Sequence, residues 1–217
     1  MKLELKSRNE LLSIMKKLEE LSLNKGTSGN CSVRFRDDFL ITPSGKAPRS
    51  LIPADMVLLS MAGDILCDVG KVPSSEWRFH RDIYLSRPEI KAVVHTHSTY
   101  AAALSCQRKD LPAFHYMVAV GGGDSIKCAP YALFGTEKLS VLAIEALTNR
   151  KACLLSNHGL IAIGVDLEDA LAIAIEVENL CEQYILSTQI GKPILLSKND
   201  MKSVLKSFKN YGRGLNK

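Results

Sequence analysis

The stretch Ala92-Val93-Val94-His95-Thr96-His97 organises this sequence, because it joins an apolar strand to two potential metal ligands. The small and β-branched residues at its start predict a buried strand that ends at the histidines. Side chains two positions apart in a strand point to the same face, so the imidazoles of His95 and His97 can reach one ion. A His-x-His pair also arises by chance in half-exposed strands, and only further ligands make a metal site the better interpretation.

Two other stretches supply such ligands. An apolar strand over residues 152–155 runs into Ser156-Asn157-His158-Gly159, a histidine beside a glycine turn. Pro73-Ser74-Ser75-Glu76 places a carboxylate at a predicted helix start. Three histidines and a carboxylate from separate segments form the ligand set of a catalytic zinc site. The central hypothesis is therefore a Zn²⁺ site formed by Glu76, His95, His97 and His158.

The composition is that of an ordinary soluble protein. The 217 residues are 46% hydrophobic and 24% charged, which suits one globular domain over residues 1–217. No apolar run is long enough for a signal peptide or a membrane span, so we expect a cytoplasmic protein with no membrane partner. The six cysteines form no Cys-x-x-Cys pair, which in such a protein indicates reduced thiols.

The net charge of +5 raises the alternative of nucleic-acid binding. Much of the excess lies in the C-terminal segment 192–217, where basic residues alternate with apolar ones at helical spacing. That pattern is typical of the solvated face of an amphipathic helix. Aromatic and basic residues do not interleave as they do in RNA-binding proteins, so no nucleic-acid partner is expected.

Local signals predict the regular elements of the first half. The capping box Ser7-Arg8-Asn9-Glu10 predicts the start of a first helix that ends before Gly26. Alternating apolar residues predict one hairpin over residues 31–42 and another over residues 57–66. Ser74 and Ser75 occupy the N-cap position of a predicted helix over residues 77–85.

The second half is predicted to be richer in helices. They are expected at 99–106 with Ser98 as N-cap, at 136–147, at 167–188 with Asp166 as N-cap, and at 200–208, with Pro193 ending the ordered body. Hairpins outnumber strand–helix–strand units in this order of elements. The sequence therefore predicts a three-layer α/β/α fold, in which a central, mostly antiparallel mixed sheet carries helices on both faces.

Three short turns of hydroxyl residues and glycine adjoin these elements. They are Thr27-Ser28-Gly29-Asn30, Thr42-Pro43-Ser44-Gly45 and Pro73-Ser74-Ser75. Such turns offer backbone N–H groups and hydroxyls without bulky side chains, which suits a phosphate group. Each one alone is equally well explained as a simple turn. Neither a P-loop nor a Gly-x-Gly-x-x-Gly motif is present, so nucleotide binding has no support.

Glu76 also has two interpretations. It is either an ordinary acid in the first turn of a helix or, beside a metal ion, a group that moves a proton α to a carbonyl. His80 and His115 are expected to be a hydrogen-bonded helix residue and a loop residue, and not metal ligands.

Together these motifs resemble the class II aldolase/adducin family. The resemblance covers nearly the whole chain in order, through residues 26–30, 42–45, 73–80, 95–97 and 157–159. Four further segments resemble the branch of the family that cleaves L-fuculose 1-phosphate: residues 115–117, 129–131, 134–136 and 208–212. The metal set is common to the family, whereas Ser-Ser-Glu and His-Tyr-Met are more discriminating.

The resemblance implies a role for each site residue. Glu76, His95, His97 and His158 would bind one Zn²⁺ per subunit, and Glu76 would also transfer the proton. Tyr116 from a neighbouring subunit would assist at the aldehyde oxygen, and Tyr211 in the tail would close the site. The substrate and its phosphate would be bound by Thr27, Gly29, Asn30, Ser44, Gly45, Ser74 and Ser75.

The implied reaction is retro-aldol cleavage of L-fuculose 1-phosphate, or of a close ketose 1-phosphate, to dihydroxyacetone phosphate and L-lactaldehyde. The implied assembly is a homotetramer with sites at subunit interfaces. Two enzymatic alternatives remain. One is an aldolase for a 5-deoxy- or methylthio-pentulose 1-phosphate. The other is a pentulose-phosphate 4-epimerase, although such epimerases usually carry an aspartate-containing motif where this chain has Ser75-Glu76. The adducin branch offers a non-catalytic interaction module, but that branch lacks the full metal set.

Overall fold

A seven-stranded sheet forms the centre of the computed structural model, which describes residues 2–66 and 70–208. Its strand order is β3-β2-β1-β4-β7-β6-β5, and neighbouring strands are antiparallel except for β5 and β6. The strands are β1 (Asn30–Phe35), β2 (Asp38–Ile41), β3 (Val57–Leu59), β4 (Ala92–Thr96), β5 (Lys127–Ala129), β6 (Ala152–Leu155) and β7 (Gly159–Gly164). The predicted strand β4 is therefore the middle strand of the sheet.

Helices cover both faces of this sheet. They are α1 (Lys2–Glu20), α2 (Trp77–Ser86), α3 (Thr99–Ser105), α4 (Glu137–Ala146), α5 (Leu167–Ile190) and α6 (Lys198–Phe208). Helices α2 and α4 pack together on one face, whereas α1, α3, α5 and α6 contribute to the core on the other. The predicted three-layer α/β/α fold with a mostly antiparallel mixed sheet is confirmed.

Successive side chains of β4 point to opposite faces of the sheet, so this strand contributes to both hydrophobic cores. Val93 lies in the core beneath α2 and α4, whereas Ala92 and Val94 lie in the core beneath α1 and α5. All three are fully buried. Residues two apart share a face of a strand, so His95 continues the Val93 side and emerges beside α2.

The predicted start of the first helix is wrong. Helix α1 spans Lys2–Glu20, so Ser7 lies inside it and not at its cap. Arg8 is buried and binds both the Glu4 carboxylate one turn earlier and the Met56 carbonyl oxygen. These contacts extend the helix past the local capping signal.

Helix α3 begins where it was predicted, but its cap comes from another helix. Ser98 occupies the N-cap position without capping through its side chain. Glu178 of α5 accepts hydrogen bonds from the Tyr100 and Ala101 amides and from the Ser98 hydroxyl, at 2.7–2.8 Å. A carboxylate at a helix N-terminus satisfies free amides and complements the helix dipole. The cap predicted for α5, Asp166, is confirmed, and Thr136, predicted as the first residue of α4, is its N-cap.

Other differences concern long-range contacts. The 3-10 helix Tyr116–Gly121 and strand β5 were not predicted, because the first packs against α5 and α6 and the second pairs with β6, all distant in sequence. Pro193 does not end the ordered body: the Leu196 amide bonds the Ala113 carbonyl at 2.8 Å, and Met201 is 1% exposed. The hairpin over 57–66 is limited to β3 and a single bridge to Ile65.

Candidate active site and metal centre

The candidate site begins at the end of β4. His95 is fully buried, and its Nδ1 lies 2.9 Å from the carbonyl oxygen of Leu160 on the adjacent strand β7. A carbonyl oxygen can only accept, so the proton must be on Nδ1. The Nε2 lone pair is then directed into the site, which is the tautomer that a metal ligand requires.

The strand pairing brings His158 to the same place. It precedes Gly159, the first residue of β7, where a Cβ atom would lie 2.2 Å from the Thr96 carbonyl oxygen. Only glycine permits this close approach of the two strands. The imidazole rings of His95, His97 and His158 are mutually 4.8 Å apart between centroids and stand edge to face.

Glu76 completes the cluster from the start of α2. Its Oε2 lies 3.2 Å from Nε2 of His95, and its Oε1 lies 3.2 Å from Nε2 of His158. The predicted N-cap positions Ser74 and Ser75 are wrong, because Glu76 itself occupies the N-cap position. Its side chain does not cap the helix but turns into the site, where the Asn30 amide donates to Oε2 at 2.9 Å.

The geometry of this cluster fits a metal ion. The ligand atoms of Glu76 and the three histidines all lie within 4.8 Å of one another. A tetrahedral zinc ion with bonds of about 2.0–2.1 Å would separate them by roughly 3.3–3.4 Å, and the Nε2 atoms of His95 and His97 are 3.0 Å apart. Within residues 2–66 and 70–208, Glu76 Oε1 is the one buried side-chain oxygen or nitrogen without a hydrogen-bond partner. A cation at this point would satisfy that oxygen and the facing nitrogens.

The electrostatics of the site favour the states that bind a metal. Burial disfavours a charge on Glu76, yet His95, His158 and the Asn30 amide together hold the pKa of this carboxyl well below its usual range. Burial, with a smaller contribution from His95, lowers the pKa of His158 to about 3. At neutral pH the site therefore contains an ionised carboxylate and a neutral His158.

A cavity of about 320 Å³ opens from the cluster. The bridge between Pro43 and Pro73 places two of the three predicted turns side by side along it. His97 faces this cavity, together with Glu76 and His158. All seven residues predicted to bind the substrate line it: Thr27, Gly29, Asn30, Ser44, Gly45, Ser74 and Ser75.

The cavity walls contain neutral hydrogen-bond donors and no lysine or arginine among the residues that the structure describes. Lys46, which flanks one turn, forms an ion pair with Asp55 at 2.6 Å instead. The sequence expectation of a phosphate held by uncharged donors remains a prediction, but these positions are compatible with it.

Several residues at the site were not assigned a role from sequence. Tyr131, Phe134 and Asn157 line the cavity, and all three belong to motifs that carried the resemblance. Asn24 had no such signal. Its Oδ1 accepts from the His97 amide at 2.9 Å, and its side chain would lie 2.1 Å from a Cβ atom at Gly29, so it supports a ligand and a turn at once.

The remaining predicted residues lie elsewhere. Tyr116 is 50% exposed at the start of its 3-10 helix and does not line the cavity of its own chain. Tyr211 is outside the described residues. His80 is a buried, hydrogen-bonded helix residue, as predicted, and His115 caps the 3-10 helix by accepting from the Met117 amide.

Comparison with known sequences identifies the family. Residues 9–185 match the Class II Aldolase and Adducin N-terminal domain. The chain belongs to the class II aldolase and adducin family. Its described residues include three histidines and a glutamate that could hold a metal ion, and the chain is a metal-dependent aldehyde-lyase of class II.

Named relatives in this family cover almost the full length. The chain is 47% identical over 205 residues to a 5-methylthioribulose-1-phosphate/5-deoxyribulose-1-phosphate aldolase of Rhodospirillum rubrum, which covers 94% of this chain and 92% of the relative. It is 46% identical over 208 residues to an L-fuculose phosphate aldolase of Escherichia coli K12, covering 95% and 96%. A solved L-fuculose 1-phosphate aldolase superposes with a TM-score of 0.90 at 39% identity, covering 94% of this chain and 96% of that one.

Within the described part of the chain, no helix is both long enough and apolar enough to cross a bilayer.

Proposed function

We propose that this class II aldolase uses zinc to cleave a ketose 1-phosphate, with L-fuculose 1-phosphate as the favoured substrate. One observation carries the proposal. The cluster of Glu76 and three histidines borders the same cavity as the Asn30, Ser44 and Ser75 turns. A phosphorylated sugar that places its phosphate on these turns would have its carbonyl end at the cluster.

Different residues of the chain are proposed to bind the metal, transfer the proton and bind the phosphate. Zinc, when bound, would supply Lewis-acid stabilisation of the negative charge that develops on the substrate oxygens. Glu76 transfers the proton, because it is the carboxylate that lines the cavity at the cluster. The amides and hydroxyls of the turns bind the phosphate as neutral donors, and Tyr131 and Phe134 also line the cavity.

A second substrate class has support of its own. The Rhodospirillum rubrum relative, named for 5-methylthioribulose 1-phosphate and 5-deoxyribulose 1-phosphate, is as similar to this chain as the fuculose enzymes are. These sugars share the phosphorylated ketose end and differ in the aldehyde that is released. The second candidate is therefore the same cleavage with a methylthio- or deoxy-pentulose 1-phosphate.

The active unit is proposed to be a cytoplasmic homotetramer of single-domain chains spanning residues 1–217. Tyr116 supports this proposal, since it is half exposed and does not line the cavity of its own chain. We therefore propose that Tyr116 acts at the site of a neighbouring subunit, where it would assist at the aldehyde oxygen. Tyr211 is proposed to close the same site.

A coupled assay for dihydroxyacetone phosphate, run over a panel of ketose 1-phosphates, tests the function. The panel contains L-fuculose, 5-deoxyribulose, 5-methylthioribulose and L-ribulose phosphates. The highest kcat/KM is expected for L-fuculose 1-phosphate. A higher value for a pentulose 1-phosphate would transfer the assignment to the second candidate, and epimerised sugar without dihydroxyacetone phosphate would indicate an epimerase.

A further inference from the structure

A chain of buried hydrogen bonds runs from the protein core to Glu76. The Tyr84 hydroxyl lies 2.7 Å from Ser32 Oγ, which lies 2.7 Å from Nδ1 of His80. Nε2 of His80 lies 2.5 Å from Oδ1 of Asn30, whose Nδ2 donates to Glu76 at 2.9 Å. Four of these five residues belong to β1 and α2, and all five are buried.

The Glu76 carboxylate at one end determines which atom donates in every hydrogen bond of this series. An ionised carboxylate only accepts, so Asn30 must present its NH₂ group to Glu76 and its carbonyl oxygen to His80. That oxygen also only accepts, so His80 must carry its proton on Nε2. Burial lowers the pKa of His80 to about 3, and the neutral ring therefore has a bare Nδ1.

The remaining two bonds follow from the bare nitrogen. Ser32 must donate its hydroxyl proton to Nδ1 of His80, which leaves its oxygen to accept from Tyr84. Burial raises the pKa of the Tyr84 hydroxyl, so this donor keeps its proton. The opposite arrangement would place two acceptors 2.9 Å apart at Glu76, because the Asn30 carbonyl oxygen would face the carboxylate.

We propose that His80, Ser32 and Tyr84 form a one-way hydrogen-bond relay that fixes the Asn30 amide with its NH₂ group toward Glu76, which makes His80 a positioning residue for the aldol reaction. This inference rests on the proposed function for its kinetic consequence only. His80 neither lines the cavity nor belongs to the metal cluster. Without its donor the amide can turn over, and repulsion between its oxygen and the carboxylate displaces Glu76.

The tautomer of His80 tests the relay independently of any substrate. The chain contains five histidines, so ¹⁵N-histidine labelling of the zinc-loaded protein gives few ring signals, and the spectrum of His80→Gln assigns one of them. We expect His80 to be neutral and protonated on Nε2 at neutral pH. A ring protonated on Nδ1, or on both nitrogens, would overturn the relay.

Kinetics test the positioning role. Outer partners of metal sites typically contribute about 10–100-fold, so His80→Leu should lower kcat by about that factor, with zinc content unchanged and KM changed much less. In His80→Gln, the side-chain nitrogen Nε2 is four bonds from Cα, as it is in histidine, and it also carries an N–H donor. This variant should therefore recover most of the kcat that His80→Leu loses. Equal kcat values for the two variants would overturn the role. If the unaltered protein cleaves no sugar of the panel, the proposed function fails while the tautomer still decides the relay.

Discussion

At the scale of single residues, burial and charge act against each other at Glu76. The side chain is 6% exposed, and burial alone would favour its neutral form. The neighbouring His95, His158 and Asn30 outweigh that effect and keep the carboxyl ionised. A buried carboxylate that is kept ionised next to a substrate cavity is suited to bind a cation and to accept a proton.

Glu76→Gln tests the second of these roles. The amide is nearly isosteric but cannot take up the proton, so kcat should fall by about 10²–10⁴-fold, while zinc remains bound to the histidines. Metal analysis and steady-state kinetics measure the two effects. Glu89→Gln is the matched control, because this glutamate is exposed and pairs only with Arg87 among the contacts described. Wild-type kcat in Glu76→Gln would remove this residue from the mechanism.

Ser44→Ala tests the neutral phosphate site. Ser44 is a cleaner choice than Asn30, whose amide also bonds Glu76 and His80. A hydrogen bond to a charged group contributes about 1.5–3 kcal/mol, so KM for the phosphorylated ketose should rise roughly 10–100-fold. KM for the unphosphorylated sugar should barely change. Ser50→Ala, an exposed serine outside the cavity, is the control, and equal effects on both sugars would count against a phosphate role.

At the scale of elements, the site depends on contacts between segments that are distant in sequence. Strand β7 sets the tautomer of His95, helix α2 supplies Glu76, and the segment after α1 supports His97 through Asn24. Glu178 of α5 caps α3, which starts two residues after His97. The position of His97, directly after β4, is therefore linked to the long helix α5 that packs against the sheet.

Glu178→Ala should weaken this link. Loss of an N-cap acceptor costs about 0.5–2 kcal/mol, and the free energy of unfolding, measured by urea denaturation, should fall by about that amount. Zinc affinity should fall as well, because the segment that carries His97 loses its anchor. Glu182→Ala, one turn further along α5, is the matched control, since Glu182 contacts the Tyr100 hydroxyl and none of the α3 amides described. Equal losses in both variants would argue against a capping role.

At the scale of the whole molecule, a bound metal ion and an oligomeric assembly are proposed to complete the site. The three histidines and Glu76 come from three different segments, so a bound cation ties these segments together. Tyr116 lies outside the cavity of its own chain, so its proposed contribution requires a second copy.

Removal of the metal should abolish cleavage. Chelator-treated protein is expected to lose activity and some thermal stability, because the ligand atoms then face one another without a cation between them. Added Zn²⁺ should restore both, as measured by the coupled assay and by thermal unfolding. Full activity in protein that metal analysis finds to be free of metal would exclude a metal-dependent reaction.

Mixed oligomers should reveal the shared site. Tyr116→Phe and Glu76→Gln subunits, each nearly inactive alone, are unfolded together and refolded. Some interfaces then join an intact Glu76 to an intact Tyr116, and activity should rise well above that of either parent. Native mass spectrometry checks that mixed tetramers form. If they form without recovery, Tyr116 does not act across the interface.

Much of the fold follows from signals within short segments. Small and β-branched residues predicted the strand at Ala92, apolar alternation predicted the β1–β2 hairpin, and the cap at Asp166 predicted the start of α5. These features depend on neighbours a few residues away. The cap of α3, the extension of α1 and strand β5 do not, because Glu178, Met56 and Leu154 are distant in sequence.

The candidate site divides in the same way. The identity of its four metal-type ligands and of its three turns could be inferred from sequence, because each belongs to a short motif next to a regular element. The role of His80 could not. Its proton position follows from bonds to Ser32 and Asn30, residues about fifty positions away, which meet it only when α2 packs on β1. Which residue types form the site can be read from short segments of sequence. The protonation and orientation of their side chains depend on which hydrogen-bond donors and acceptors the folded structure brings next to them.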